Sequence, residues 1–126
     1  ILGHLDKMKI QNPANKFFTE TESWYQQEVK ETIKAIKASE SIIEVNTRGI
    51  YQKKTFDTYP SGWILELIHK ENIPITISSD AHHADDLINQ FEQAMRLLRK
   101  VGFKKIHILT EGTWKPFNFN ENGIVW

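Results

Sequence analysis

Three short apolar segments, separated by stretches with helical periodicity, set the main limit on how this chain can fold. They begin near residues 42, 74 and 105, and a fourth, Ile1-Leu2, opens the chain. Their spacing is about 30 residues, the size of a β/α unit, and such units imply parallel strands joined by right-handed crossovers. We therefore predict an α/β fold with about four parallel strands and three to four helices.

The segments between the predicted strands have the residue spacing of amphipathic helices. We predict three of them, over residues 19–39, 61–71 and 85–101. Thr19 and Glu22 fit the capping-box pattern at the start of the first helix, and Gly102 stops the last one in the C-cap manner. Residues 110–126 are predicted to form a tail of aromatic and turn residues.

The composition excludes several functional classes. With 16 basic and 16 acidic residues the formal net charge is zero, so nothing predicts a nucleic-acid partner or a polybasic membrane patch. The absence of cysteine excludes disulfides, thiolate zinc sites and cysteine nucleophiles, and it is compatible with the reducing cytoplasm in which we expect the protein. No apolar run approaches the roughly 18 residues of a membrane span.

The stretch Pro74–His82 combines an apolar strand with a polar end. Successive strand side chains point to opposite faces, so its polar members are predicted to share one side: Thr76, Ser78, Asp80 and His82. A carboxylate and an imidazole then stand together where the strand ends, the position at which α/β sheets and β/α barrels carry their chemistry. We predict Asp80 and His82 to be catalytic residues.

Polar side chains follow the ends of all the predicted strands, and parallel strands would bring them to one rim. The groups are His4 and Asp6, then Asn46, Thr47 and Arg48, then Asp80, His82 and His83, and finally Thr110 and Glu111. Histidine and carboxylate side chains are ligands for a divalent metal such as zinc, manganese or iron, and the arginine fork suits a phosphate. Together they predict metal-assisted hydrolysis of a small phosphorylated substrate.

Each of these residues also has a structural explanation that the sequence leaves open. Asp80 would then only cap a loop, and His82 would be a surface residue. His4 would belong to a frayed terminus, and Arg48 would pair with a nearby carboxylate. The remaining histidines are predicted to be structural or exposed: His69, His83 and His107.

Three motifs, in this order and at these intervals, resemble a known family. They are Gly3-His4-Leu5-Asp6, Glu44-Val45-Asn46-Thr47 followed by Arg48-Gly49, and Ser78-Ser79-Asp80-Ala81-His82. From Ile1 to about Leu109 the chain resembles the C-terminal half of histidinol phosphatases of the polymerase and histidinol phosphatase (PHP) superfamily. The resemblance implies that residues 1–126 are the C-terminal portion of a distorted (β/α)7 barrel whose N-terminal part is absent.

The resemblance also implies an activity and a role for each motif residue. Such enzymes hydrolyse L-histidinol phosphate to L-histidinol and phosphate in histidine biosynthesis, with a cluster of two or three metal ions at the C-terminal rim. Carried onto this sequence, His4, Asp80 and His82 become metal ligands. Arg48 and Asn46 become contacts to the substrate or its phosphate.

The chain departs from the family in its histidines. The family has a His-Xaa-His motif near its N-terminus, whereas no two of the five histidines here are separated by one residue. Half of the metal ligands are therefore missing, and Ile1-Leu2 looks like the end of a strand already in progress. We expect a piece of a longer protein that is inactive alone and is completed by its missing N-terminal half or by a second copy.

Two other functions remain open. The same superfamily includes other phosphoesterases, among them nucleotide and tyrosine-phosphate hydrolases, which only the pocket loops distinguish. The competing class is a non-catalytic half-barrel interaction module, because unpaired strand edges favour pairing with another copy.

Overall fold

The computed structural model describes residues 1–125, which form two β-sheets and four α-helices. A parallel pair consists of β1 (Ile43–Asn46) and β2 (Ile75–Ser78), and an antiparallel sheet has the order β3 (Lys105–Thr110), β4 (Thr113–Asn120), β5 (Gly123–Val125). The helices are α1 (Ser23–Ala38), α2 (Arg48–Tyr51), α3 (Gly62–Lys70) and α4 (Phe91–Val101). Short 3-10 helices cover Lys7–Gln11, Pro13–Asn15 and Ala84–Asp86.

The predicted partial (β/α)7 barrel, with about four parallel strands, is wrong. The parallel ladder consists of β1 and β2, to which Leu2 adds an isolated parallel bridge with Ile43. β3 pairs with β4 in antiparallel register instead of extending that sheet. The cause is local: Glu111 and Gly112 both have positive φ, 51° and 73°, as a two-residue type I′ turn requires, so the chain turns directly back.

The predicted tail over residues 110–126 is largely β-structure. β4 follows the first turn, and a second short turn leads to β5, where Asn120 pairs with Gly123. Phe119 of β4 is buried in the core. Pro116 is tolerated because β5 reaches only Asn118–Asn120, which leaves the proline with a ladder on one side. Trp126, the last residue of the predicted tail, lies outside the described residues.

The helices pack on the parallel strands through one buried apolar cluster. Its fully buried members come from the strands and from three helices: Ile33, Ile43, Val45, Ile64, Leu65, Ile68, Ile75 and Leu98. The amphipathic pattern predicted for the first helix is confirmed in α1, where Tyr25, Ile33 and Ile36 are buried. No helix in the described part of the chain is long and apolar enough to cross a membrane.

The helix boundaries were predicted better at the C-terminal ends than at the N-terminal ends. Gly102 ends α4 with φ 118°, and the Gly102 and Phe103 amides both bond to the Leu98 carbonyl, at 3.1 and 3.0 Å. α1 begins at Ser23 rather than near residue 19, because the Thr19 amide donates to Glu22 Oε1 at 2.8 Å in the turn before the helix. α4 begins at Phe91, six residues later than predicted (91 against 85).

Candidate active site

The chain changes direction immediately after β2, and this change positions Asp80. Asp80 has φ 50°, so its backbone is left-handed and the alternation of the strand ends before it. Three hydrogen bonds hold this segment: Tyr51 Oη donates to the carbonyls of Ser79 at 2.9 Å and Asp80 at 3.3 Å, and Arg48 Nη1 donates to the Asp80 carbonyl at 2.6 Å. A turn, rather than the strand face, therefore sets the position of Asp80.

His4 meets Asp80 across the ends of the strands. His4 Nε2 lies 3.2 Å from Asp80 Oδ2, although 76 positions separate the two residues in the chain. The His4 main-chain amide donates to Glu44 Oε2 at 2.8 Å, and the imidazole stacks on Tyr59 with the ring centroids 6.2 Å apart. β1 thus anchors the N-terminal loop that carries His4, so His4 is not a frayed terminus.

Arg48 joins the other two predicted site residues. Its Nη1 lies 3.6 Å from Asp80 Oδ2 and contacts the His82 ring, with Nε2 at 3.2 Å and Nδ1 closer. When the Gln52 amide is turned so that its oxygen faces Arg48, that oxygen accepts from Nε at 3.0 Å and from Nη2 at 3.1 Å. Arg48 therefore pairs with a carboxylate, the alternative that the sequence left open, and it does so within the predicted site.

These side chains line one cavity of about 310 Å³. Its charged and titratable lining consists of His4, Lys7, Arg48, Lys54, Tyr59, Asp80 and His82. Lys7 Nζ lies 3.8 Å from Asp80 Oδ2. Three cationic side chains face a single carboxylate, so the cavity attracts anions.

The predicted metal ligands are only partly grouped. His4 and Asp80 present an imidazole nitrogen and a carboxylate oxygen side by side, a donor pair that suits a divalent ion. His82 Nδ1 instead lies 2.9 Å from the Asp80 carbonyl oxygen, beside Arg48. Within residues 1–125 no three histidine, aspartate or glutamate side chains form a group able to hold a metal. The described residues therefore group two such donors, His4 and Asp80, without a third.

Asn46, predicted to contact the substrate, is fully buried below the cavity and does not line it. Its Oδ1 accepts from the Arg48 amide at 2.9 Å, and its Nδ2 has no hydrogen-bond partner among the described residues. Asn46 thus supports the backbone of Arg48 at the end of β1.

Two other predicted rim groups lie away from the cavity. Asp6 accepts from the Tyr25 hydroxyl and from the Ser61 amide at 3.2 Å, and it pairs with Lys9 at 3.1 Å. Burial, followed by the hydrogen bond to Asp6, raises the pKa of Tyr25 well above its ordinary value. Glu111 pairs with Lys115 at 2.8 Å on the β3–β4 hairpin. Glu111 is separated from the cavity by the sheet that the prediction missed, whereas Asp6 is held away from it by Tyr25, Ser61 and Lys9.

The remaining histidines have structural or exposed positions. His83 is exposed, and His69 is exposed with its ring against the edge of Phe103 at 4.8 Å. His107 lies in β3, and its Nδ1 is buried with no partner among the described residues. Burial lowers the pKa of His107 below 6.5, and a main-chain hydrogen bond with Ile75 opposes this effect.

Four residues of the site escaped sequence reasoning: Lys7, Tyr51, Lys54 and Tyr59. Tyr59 is 1% exposed, and its hydroxyl has no hydrogen-bond partner among the described residues. Burial and then the charges of Asp80 and Glu44 raise the pKa of Tyr59, so its hydroxyl stays protonated. No periodicity or motif marks these positions. The available signal was their place in the loops that follow the first two predicted strands.

Comparison with protein-family models gives no match to this chain, and a search of curated proteins finds no similar sequence.

Proposed function

We propose that this chain carries site residues of a metal-dependent phosphomonoester hydrolase of the histidinol-phosphatase type. The observation that carries the proposal is one cluster: His4 Nε2 lies 3.2 Å from Asp80 Oδ2, and Arg48 Nη1 lies 3.6 Å from the same oxygen. An imidazole, a carboxylate and a guanidinium thus share a cavity with excess positive charge. The proposed substrate is L-histidinol phosphate, and the products are L-histidinol and phosphate.

Each side chain has a part in this chemistry. His4 and Asp80 would hold a divalent ion, which when bound lowers the pKa of a water molecule and offsets charge on the phosphoryl oxygens. Arg48 keeps Asp80 in place through the main-chain carbonyl and the carboxylate. His82 lines the cavity and is an imidazole able to give a proton to the leaving alkoxide.

The proposal is tested by phosphate release from L-histidinol phosphate, with added manganese or zinc. The assay uses the intact gene product and compares wild type with Asp80→Asn, which keeps the size of the side chain. We expect a loss of at least about 100-fold, because residues that only support metal ligands already cost about 10- to 100-fold when they are replaced. The 126 residues assayed alone, with two grouped donors, should turn over little substrate.

Asp85→Asn is the matched control, because Asp85 is exposed and does not line the cavity. It should retain wild-type activity. Full activity in Asp80→Asn would contradict the assignment of Asp80 to the active site. A screen of nucleotides, tyrosine phosphate and histidinol phosphate then ranks the substrates, and a preference for another ester would move the protein to a different phosphoesterase within the proposed class.

A further inference from the structure

The three cationic side chains of the cavity differ in how many hydrogen bonds and ion pairs they already form with other protein groups. Arg48 donates through Nη1 to the Asp80 carbonyl and contacts His82, and its Nε and Nη2 bond to the Gln52 amide oxygen when that amide is turned toward them. Lys7 lies 3.8 Å from the Asp80 carboxylate. Arg48 is therefore largely occupied in holding the site together, and little of its donor capacity is left for a ligand.

Lys54 is the cation of the cavity that lacks such a partner. It lines the same cavity, and among residues 1–125 its ammonium forms no ion pair and no hydrogen bond. Its side chain is exposed, so no desolvation cost keeps it from binding an incoming anion.

The backbone fixes Lys54 at the edge of the cavity. The Lys54 and Thr55 amides both donate to the Gly49 carbonyl, at 2.8 and 3.1 Å. The loop folds back so closely that a β-carbon on Gly49 would lie 2.2 Å from Thr55 Oγ1. Lys54 therefore starts from a defined backbone position beside α2, and only its side chain must order on binding.

The charge of the cavity indicates the kind of anion. Three cationic side chains and one carboxylate give a formal net charge of +2 when both histidines are neutral. A phosphomonoester carries about −1.5 to −2 at pH 7, whereas a phosphodiester carries a single negative charge. The cavity thus complements a monoester better than a diester.

We propose that Lys54 binds the phosphate group of the ligand and favours phosphomonoesters over diesters, while Arg48 positions Asp80 and His82. The identity of the ligand as a phosphomonoester rests on the proposed function. The assignment of Lys54 rests separately on its place in the cavity and on its lack of a partner.

The test is a calorimetric titration of inorganic phosphate into the metal-free intact gene product at mildly alkaline pH. Lys54→Gln should weaken phosphate binding about tenfold, the effect of losing one charge-assisted hydrogen bond. Lys54→Arg should restore most of the affinity. Dimethyl phosphate, a diester, should bind more weakly than phosphate to the wild type and should lose little in Lys54→Gln.

Lys53→Gln is the matched control. Lys53 is the neighbouring exposed lysine, its replacement removes the same charge, and it does not line this cavity. Its phosphate affinity should stay within about twofold of wild type. Equal weakening in both variants would mean a general charge effect and would overturn the assignment, as would a wild type that binds no phosphate.

Kinetics separate this inference from the proposed function. With metal added, Lys54→Gln should raise KM for the phosphomonoester about tenfold and change kcat little, the pattern expected when binding is lost equally from substrate and transition state. Hydrolysis with unchanged KM and phosphate affinity in Lys54→Gln would refute the role of Lys54 alone. Phosphate binding through Lys54 without hydrolysis of any ester would refute the hydrolase alone.

Discussion

Asp80 depends on its neighbours for a backbone conformation that aspartate adopts only at some cost. Its φ of 50° lies in the left-handed region, which costs roughly 1–2 kcal/mol for most L-residues and somewhat less for aspartate. The hydroxyl of Tyr51 and the guanidinium of Arg48 both donate to the carbonyls around it. The position of the carboxylate that meets His4 thus depends on hydrogen bonds to the main chain around it as well as on its own ion pair with Arg48.

Replacement of Tyr51 by phenylalanine should therefore disturb the site. Tyr51→Phe removes a hydroxyl with two carbonyl acceptors, which we expect to cost about 1 kcal/mol of unfolding free energy and to lower phosphatase activity several-fold. Urea unfolding and phosphate release measure the two effects. Tyr59→Phe is the matched control for stability: it removes a buried hydroxyl that has no partner among the described residues, so it should be neutral or stabilising. Equal destabilisation by both changes would contradict this account.

Among elements, the short helix α2 and the loop after it are packed closely against each other at Gly49. Gly49 lies in α2, and an added β-carbon would come within 2.2 Å of Thr55 Oγ1 and 3.2 Å of the Tyr59 ring. Alanine is intrinsically the better helix former by about 1 kcal/mol, yet here the steric clash decides because Thr55 is held by a hydrogen bond to Asp57 at 2.7 Å. The loop that carries Lys54 can close only over a glycine.

Gly49→Ala should accordingly destabilise the protein by about 1–3 kcal/mol, in the range of overpacked sites. The second variant Thr55→Ala removes the clashing atoms, so the double variant should recover part of the loss. A double-mutant cycle measured by urea unfolding gives the coupling between the two positions. Additive effects would show that no clash exists between them.

The end of a helix could be predicted from sequence where a single residue determines the backbone conformation. It could not be predicted where tertiary contacts determine that conformation. Gly102 ends α4 as predicted, because its φ of 118° is a property of glycine itself. The start of α4 was missed because Leu87 fits the helical spacing but is 63% exposed and lies outside the helix. The proximity of His4 and Asp80 could be predicted because both follow strands expected to be parallel. Lys54 could not be predicted because it lies in a loop without periodicity.

On the scale of the whole molecule, the spacing of about 30 residues predicted the parallel pairing of β1 and β2 correctly and the pairing of β3 incorrectly. β1 and β2 are parallel, as predicted, because a helix connects them. The same spacing places β3 in sequence, but it carries no information on which neighbour β3 pairs with. The turn at Glu111-Gly112 decides that question, and single-sequence reasoning weighted the repeat above the turn.

His107 connects the two sheets and makes stability depend on pH. Its pKa is lowered in the folded protein by burial, so below about pH 6.5 the unfolded chain binds more protons than the folded one. The contribution of His107 is fully present above pH 6.5 and should be lost as the pH falls toward its folded-state pKa. Urea unfolding of wild type and His107→Gln at several pH values measures the contribution of His107 to the pH dependence of the unfolding free energy. His83→Gln, at an exposed histidine, should leave the pH dependence unchanged; an unchanged profile in His107→Gln would contradict the prediction.

The tips of the two C-terminal turns are open. A β-carbon on Gly112 or on Gly123 would meet no atom within 4 Å, and neither residue lines the cavity. Exposed loop tips of this kind tolerate inserted sequence. A fluorescent or affinity tag spliced between Glu121 and Asn122, in the exposed turn before β5, would leave the Glu111-Gly112 turn intact and would therefore give a handle for immobilising or labelling the protein while the ligand cavity stays untouched.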